Sequence, residues 1–433
     1  MLKSNGSKCV LDERMNLKKY PNYGWIIVFG AFIGWFSWAT SRYLYPYVLP
    51  AMKEDLNVPH VSMGSITSAY FVAYTVMTFV WGILADKIGP RKCMLIGQII
   101  ILIGLLGMGF MSSLNMGLLA YFLCGAGAAG ISIPIARLLS DWFSGTRRGT
   151  AMGIAGAGGN TVTVILGFIV PMILSSYIWR WSWWLCAILV AVISVVTWFI
   201  VVDSPADRGL APIGSNAQKQ PHLGRQHLTG NHEQKVPRVT IKDVLRRGSL
   251  WNLAGIYITY GIGYVIFITF AVAHLQEIGW EVKEAAAVFA AFGALGIPGP
   301  LICGIIADRV AKKYLLAALA ALEGIGIVVF LSGGTVGSYL GAMAVGFVSP
   351  SIPVVMAASM GDYFKSTVIG TTFGFVTFIF GIGCIIAPAL GGAIADATGA
   401  LSSAILWGLG AAALSFFLAL ILKKPPKRQD SVA

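Results

Sequence analysis

Apolar stretches and polar breaks alternate along the chain, with apolar runs at 24–50, 62–85, 94–113, 116–139, 150–175, 182–202, 250–275, 284–307, 314–332, 335–360, 366–394 and 400–422. Each run is about twenty residues or longer, enough for a helix to cross a hydrocarbon core of roughly 30 Å. A chain in lipid must satisfy its own backbone hydrogen bonds, and an α-helix does so within one segment. The pattern predicts an all-α polytopic membrane protein with twelve transmembrane helices. One polar interval, 203–249, is far longer than the others. It carries Pro205, Pro212, Pro221 and Pro237 with charges of both signs and reads as a flexible linker. It divides the chain into two six-helix bundles, 1–202 and 250–433, the second ending in a polar tail.

The two bundles share sequence. Gly82-Ile-Leu-Ala-Asp86 recurs at Gly304-Ile-Ile-Ala-Asp308, and Lys87 recurs as Arg309, all at a shift of 222 residues. A second pair, beginning at Asp141 and Asp362 and ending at Gly149 and Gly370, agrees within one residue at a shift of 221. The chain is an internal duplication, which makes the bundles pseudo-symmetric. Secondary transporters are commonly built this way, with the substrate site at the interface between the repeats.

Composition places the chain in a membrane: 57% of residues are hydrophobic and 11% charged, far from the soluble norm. The net charge of +13 raises the question of nucleic acid, but the cations lie in loops between apolar runs rather than on one basic face. All but five of the 31 Lys and Arg fall in the N-terminal segment, the 86–92 loop, Arg147 and Arg148, the 203–249 linker, the 308–313 loop, Lys365 and the C-terminal tail. These segments share one side of the predicted topology, and the positive-inside rule makes that side cytoplasmic. Both termini are then cytoplasmic, in a bacterial inner membrane. The exceptions are Lys53, Arg180 and Lys283 on the other side, and Arg42 and Arg137 within helices. Residues 1–20 are charged without an apolar core, so no cleavable signal peptide is expected. The six cysteines, Cys9, Cys93, Cys124, Cys186, Cys303 and Cys384, are dispersed and read as reduced, small apolar residues.

Gly82-x-x-x-Asp86-x-x-Gly89-x-Arg91-Lys92, its weaker copy from Gly304 to Lys313, and the layout of six helices plus six resemble the major facilitator superfamily over the whole chain. The resemblance implies that fold. It also implies a gating role for Gly82, Asp86, Arg91, Asp308 and Arg309 at cytoplasmic helix ends, pairing with charges and helix termini in one of two access states. The run Gly125-Ala-Gly127-Ala-Ala-Gly130 imitates a dinucleotide-binding motif, but it lies inside an apolar span and reads as close helix packing. No Walker motif, zinc spacing or nucleophile elbow is present, so neither an enzyme nor a cofactor is expected.

Arg42 is the most informative single residue. A cation inside a span is expensive unless it faces a partner or a water-filled cavity, although snorkelling toward the outer interface is the alternative. A shift of 222 carries Trp35, Trp38 and Arg42 onto Tyr257, Tyr260 and Tyr264. Trp38, Arg42, Tyr260 and Tyr264 are therefore expected to line a central cavity, with Tyr70, Tyr74 and Asn160 as further candidates or as donors of interhelical hydrogen bonds. Arg42 and Pro50 also resemble the first helix of the organophosphate antiporters and organic anion:cation symporters, which implies that Arg42 binds the substrate anion. Where the organophosphate carriers place further cations, this chain has Tyr264, Thr78 and Gly159. One cation suits a monocarboxylate, sugar acid or aromatic acid. For proton coupling, Ser41 stands where the symporters often have an acid, and the fourth span has none. Glu323 is the only acid near mid-span, and His274 near the outer end of the seventh span is a second candidate, against the reading of a surface histidine.

The expected function is secondary active transport of a small organic anion by alternating access, with proton symport or exchange open. The expected unit is a monomer in the lipid bilayer without nucleic-acid partners. Efflux of lipophilic compounds is the alternative, disfavoured because Tyr121 replaces the fourth-helix arginine of drug antiporters and Arg42 repels cations. A transporter-like ligand sensor is a third reading.

Overall fold

The computed structural model describes residues 22–214, 247–364 and 369–423. Among them twelve helices are long and apolar enough to cross a membrane. The first bundle comprises α1 (Tyr23–Leu56), α2 (His60–Ile88), α3 (Pro90–Gly109), α4 (Leu114–Trp142), α5 (Gly145–Ser176) and α6 (Arg180–Ile200). The second comprises α7 (Gly248–Glu277), α8 (Val282–Ala307), α9 (Lys312–Leu331), α10 (Thr335–Tyr363), α11 (Ile369–Thr398) and α12 (Leu401–Ile421). Among the described residues every apolar run of the sequence falls on one of these helices or passes its end by at most four residues, and 366–368 lie outside the described residues. Cys9, Lys365, the N-terminal basic residues, Pro221 and Pro237 of the linker, and most of the C-terminal tail lie outside the described residues.

Tight turns follow from local chemistry. Asn57 ends α1 in the left-handed region at φ 47°, which asparagine tolerates, and its N–H closes back on the Glu54 carbonyl. Gly89 separates α2 from α3 at φ 89°, where a side chain would also strike the Asp203 carboxylate. Helix α8 is broken at Ile297 and Pro298 into Val282–Gly296 and Gly299–Ala307. Inside the first bundle the small residues of 125–130 permit contact between backbones. A Cβ on Gly125 would overlap the Tyr70 carbonyl, and one on Gly127 would overlap that of Gly97.

The bundles meet through α2 with α11, α5 with α8, and α1 with α7. At one end, His60 and Val61 of α2 sit against Gly392 of α11, and Gly64 against Pro388, too close for any side chain. At the end carrying residues 86 and 308 the bundles separate. A Cβ on Gly149, Gly153 or Gly156 of α5, or on Gly361 or Gly374 of α10 and α11, would meet nothing within 4 Å. The protein is sealed at the 60/396 end and splayed at the 86/308 end.

The start of the linker is built into this splayed end rather than hanging free. Residues 205–208 form a 3-10 turn, Arg208 lies 4.1 Å over the Tyr23 ring, and Ile213 pairs with Trp142 and Ser144 through backbone hydrogen bonds of 2.9 and 3.0 Å. The expectation of a linker flexible from residue 203 is corrected for 203–214, because apolar Ile213 finds a seat against Gly24 and Phe143. Residues 215–246 lie outside the described residues.

Candidate functional site

The site grows from Arg42. Four residues on, Pro46 has no N–H, so the Arg42 carbonyl loses its helical donor. The hydroxyl of Tyr121 on α4 donates to that carbonyl at 3.2 Å. The guanidinium then points to the bundle interface, where Nη2 donates to the Tyr264 hydroxyl on α7 at 2.9 Å. That hydroxyl is also 3.0 Å from the hydroxyl of Tyr43. Aromatic rings surround the cation: its Cζ is 5.1 Å from the centroids of both Trp38 and Phe71, 5.2 Å from Tyr264 and 5.6 Å from Tyr43.

Arg42 and Tyr264 are 222 residues apart, the repeat shift itself, and they touch. Pseudo-equivalent residues can meet only near the axis relating the bundles, so the cation sits on that axis.

Around it lie buried donors with no partner: Nε of Arg42, Nε1 of Trp38 and the hydroxyl of Tyr70. Among the described residues Arg42 makes no ion pair. A small cavity of about 10 Å³, room for one water-sized group, opens beside it between Arg42, Thr67, Tyr70, Phe71 and Thr269. Donors without acceptors beside an unpaired cation can hold an anion.

Other candidates have their polar atoms committed elsewhere. Pro353 deprives the Ser349 carbonyl of its helical donor, and the Tyr260 hydroxyl donates to that carbonyl. Pro300 does the same to the Gly296 carbonyl at the break in α8, and the Asn160 amide supplies the missing bond at 2.9 Å across the bundle interface. The hydroxyls of Tyr74 and Ser132 are 3.1 Å apart. Tyr260 still presents its ring in a near-parallel stack with Tyr257, Tyr264 and Phe380, and Tyr70 and Tyr74 stack at 6.2 Å. Asn160 instead ties two helices together, the alternative the sequence left open.

Phe71 and Tyr43 are not among the site candidates that the sequence offers, and Tyr121 enters there only as an argument against efflux. The signal for Tyr121 was present in Pro46, which announces an orphaned carbonyl four residues earlier. Nothing local announces Phe71.

Among the gating candidates, Asp86 forms an ion pair with Arg137 of α4, which is also 3.7 Å from Asp141. The shift of 221 that relates Asp141 to Asp362 puts Ala358 at the position of Arg137, so Asp308 lacks the equivalent partner, and the C-terminal copy instead pairs Lys312 with Asp362 at 2.8 Å. Arg91 stays within the first bundle: its guanidinium donates twice to the Trp198 carbonyl, at 2.6 and 3.0 Å, and its backbone N–H donates to Asp203 at 2.7 Å. A Cβ on Gly82 would meet nothing within 4 Å, and Arg309 is exposed.

Glu323 is fully buried in α9 and neither carboxyl oxygen has a hydrogen-bond partner. His274 is 5% exposed, so the surface reading is corrected: it lies 5.9 Å from Phe330 and 3.7 Å from Glu277. It is ten residues beyond Tyr264 on α7, about 15 Å along the helix.

Two six-helix bundles closing on a lone cation at their symmetry axis define a multi-pass membrane protein of the two-repeat transporter class. The chain belongs to the Major Facilitator Superfamily, whose family description matches residues 25–353. It is 23% identical over 399 residues to a probable sulfoacetate transporter, SauU, of Cupriavidus necator, covering 87% of this chain and 90% of that one. It is 25% identical over 397 residues to a hexuronate transporter of Bacillus subtilis, covering 87% and 89%. A bacterial homolog of the human lysosomal transporter Spinster, solved inward-facing and unoccupied, superposes with a TM-score of 0.73 at 15% identity, covering 92% of this chain and 97% of that one. These relatives are transporters, not enzymes.

Proposed function

We propose that the protein is a secondary active transporter that carries a small organic anion with a single negative charge: a monocarboxylate, a sugar acid or an aromatic acid. The observation that carries the reading is Arg42 on the pseudo-symmetry axis, hydrogen-bonded to Tyr264 and without an acidic partner among the described residues. A carboxylate completes the site by taking the unpaired Nε–H of Arg42 in a two-point contact with Nη2, with the Tyr70 hydroxyl and the Trp38 indole N–H as further donors. Four aromatic rings lie within 5.6 Å of the guanidinium carbon, and the unpaired Nε–H is the donor left for the ligand. A dianionic phosphate would bring one charge more than the site compensates. One relative is named for hexuronate, a sugar acid.

The distribution of Lys and Arg supports placing the splayed 86/308 end in the cytoplasm of a bacterial cell with both termini inside. The conformation described is then inward-open, and transport proceeds as the α2–α11 and α5–α8 contacts part while the 86/308 ends close.

The test is calorimetric binding of D-glucuronate and benzoate to purified wild type, Arg42→Lys and Arg42→Gln, with sulfoacetate as a doubly charged comparison and tetraphenylphosphonium as a cationic control. Losing a hydrogen bond to a charged group costs about 1.5–3 kcal/mol, so Arg42→Gln should weaken binding of the preferred acid by roughly tenfold to a hundredfold. Arg42→Lys keeps the charge without the planar fork and should fall between. Wild-type affinity in Arg42→Gln, or preference for the cation, overturns the anion site. Binding without uptake into proteoliposomes would make the protein a sensor.

A further inference from the structure

We propose that Glu323 is a proton-binding site in the second bundle, coupled to the anion site through α7. The coupling rests on the anion-transport reading above; the proton site does not.

Glu323 lies in the middle of α9, with no exposed surface and no hydrogen bond to either oxygen. One carboxyl oxygen is 3.2 Å from where a Cβ on Gly263 of α7 would be, and the Gly408 carbonyl of α12 is 2.9 Å from the same point. The carboxyl is thus wedged where α7 and α12 touch backbone to backbone. An ionised carboxylate there would be unhydrated and uncompensated, which costs many kcal/mol, whereas the neutral acid loses little.

Among the described residues the surroundings offer no counter-charge. Helix α12 contains no titratable residue, and those of α10 stand near its ends: Tyr339, Asp362 and Tyr363. Lys312, Lys313 and Tyr314 are at the start of α9, at least nine residues before Glu323. From α7, Tyr260 is the titratable residue nearest in sequence to Gly263 on the side away from Tyr264, and its hydroxyl is committed to the Ser349 carbonyl. Tyr257 and Tyr264 belong to the aromatic stack, and His274 and Glu277 lie at least eleven residues beyond Gly263, about three turns away. A buried acid with no structural partner is expensive to keep, and it serves a function only if the other conformation lets water reach it. There the carboxyl O–H gives its proton to water and the carboxylate forms in a hydrated setting.

Coupling follows from position on α7. Gly263 contacts Glu323, and its neighbour Tyr264 holds the Arg42 guanidinium. A charge appearing at Glu323 would force α7 away from α12 at that turn and carry Tyr264 with it, while an anion on Arg42 competes for the same Tyr264 hydrogen bond. Anion and proton therefore bias one segment of one helix.

Two measurements decide the matter. Infrared difference spectra of the purified full chain should show the carbonyl band of a protonated, non-hydrogen-bonded carboxyl at neutral pH in wild type and not in Glu323→Gln. The isosteric amide should leave D-glucuronate counterflow in proteoliposomes unchanged while abolishing accumulation driven by an inward proton gradient. Glu323→Met serves if the amide variant does not fold. An identical band in wild type and variant overturns the proton site, and gradient-driven accumulation in the variant equal to wild type overturns the coupling. If wild type neither binds nor moves glucuronate, benzoate or sulfoacetate, the anion reading falls while the infrared result still decides the proton site.

Discussion

At the scale of single residues, three prolines govern the chemistry of the centre. Pro46, Pro300 and Pro353 each remove the donor that a carbonyl four residues earlier would have used, and the three orphaned carbonyls are met by Tyr121, Asn160 and Tyr260. In a membrane interior an orphan of this kind has no water to turn to. The polar stripe along the bundle interface thus divides into side chains that repair the backbone and side chains that keep a donor without a partner among the described residues, namely Arg42 at Nε, Tyr70 and Trp38. Sequence periodicity put Tyr260 and Tyr70 in one class because it reports the face of a helix and not the partner across it. The division is testable by thermal unfolding. Tyr260→Phe should destabilise the protein by about 1–3 kcal/mol, since a buried carbonyl loses its donor, and adding Pro353→Ala should recover much of the loss by restoring the helical N–H. Tyr70→Phe, which abandons no partner, should leave the melting temperature in place and weaken acid binding. Equal destabilisation by the two phenylalanine variants would refute the division.

At the scale of elements, the spans were legible because lipid enforces a length and a composition that each helix must meet by itself. What escaped depends on neighbours remote in sequence. Helix α1 runs six residues past its apolar stretch, through Met52 and Leu56 to the turn at Asn57, and residues 203–214 dock because Tyr23, Gly24 and Phe143 happen to be beside them. The break in α8 escaped too: 284–307 reads as one apolar run, although Pro298 and Pro300 stand where the helix is interrupted. Legibility also differs between the repeats. The glycine and aspartate of the loop motif recur, but the cation that pairs with Asp86 is Arg137, whose counterpart is Ala358. The two loops are therefore not equivalent. Asp86→Asn should lower the transport rate more than it lowers binding, because it loosens the splayed ends of α2 and α4, whereas Asp308→Asn should have the smaller effect on rate. Uptake and binding measured at equal protein levels would check both; a rate for Asp86→Asn equal to wild type would remove the motif from the transport cycle.

For the whole molecule, the question is what holds one end shut while the other stands open. At the sealed end Asp396 of α11 accepts hydrogen bonds from the backbone N–H groups of His60 and Val61, at 2.9 and 2.8 Å, and so caps the first turn of α2 from the opposite bundle. A carboxylate at a helix N-terminus satisfies orphaned donors and meets the positive end of the helix dipole, worth about 0.3–1 kcal/mol where solvent reaches it. Asp396 is exposed, so the lower part of that range applies. The close backbone approaches around it, Gly64 on Pro388 and Gly392 on His60, require the bundles to touch and vanish together when they part. Removing the cap should therefore shift a two-state balance by a modest factor rather than unfold anything. Spin labels at Asn57 and Ala397, both exposed at the sealed end, and at Arg148 and Gly361 at the splayed end, report the two gaps by electron–electron resonance distances. In Asp396→Ala the first pair should gain a longer-distance population and the second a shorter-distance one, in matching proportion, because rigid bundles rocking about the axis through Arg42 and Tyr264 cannot open one end without closing the other. A longer first distance with an unchanged second would mean that the end frays locally, and it would dissociate Asp396 from alternating access.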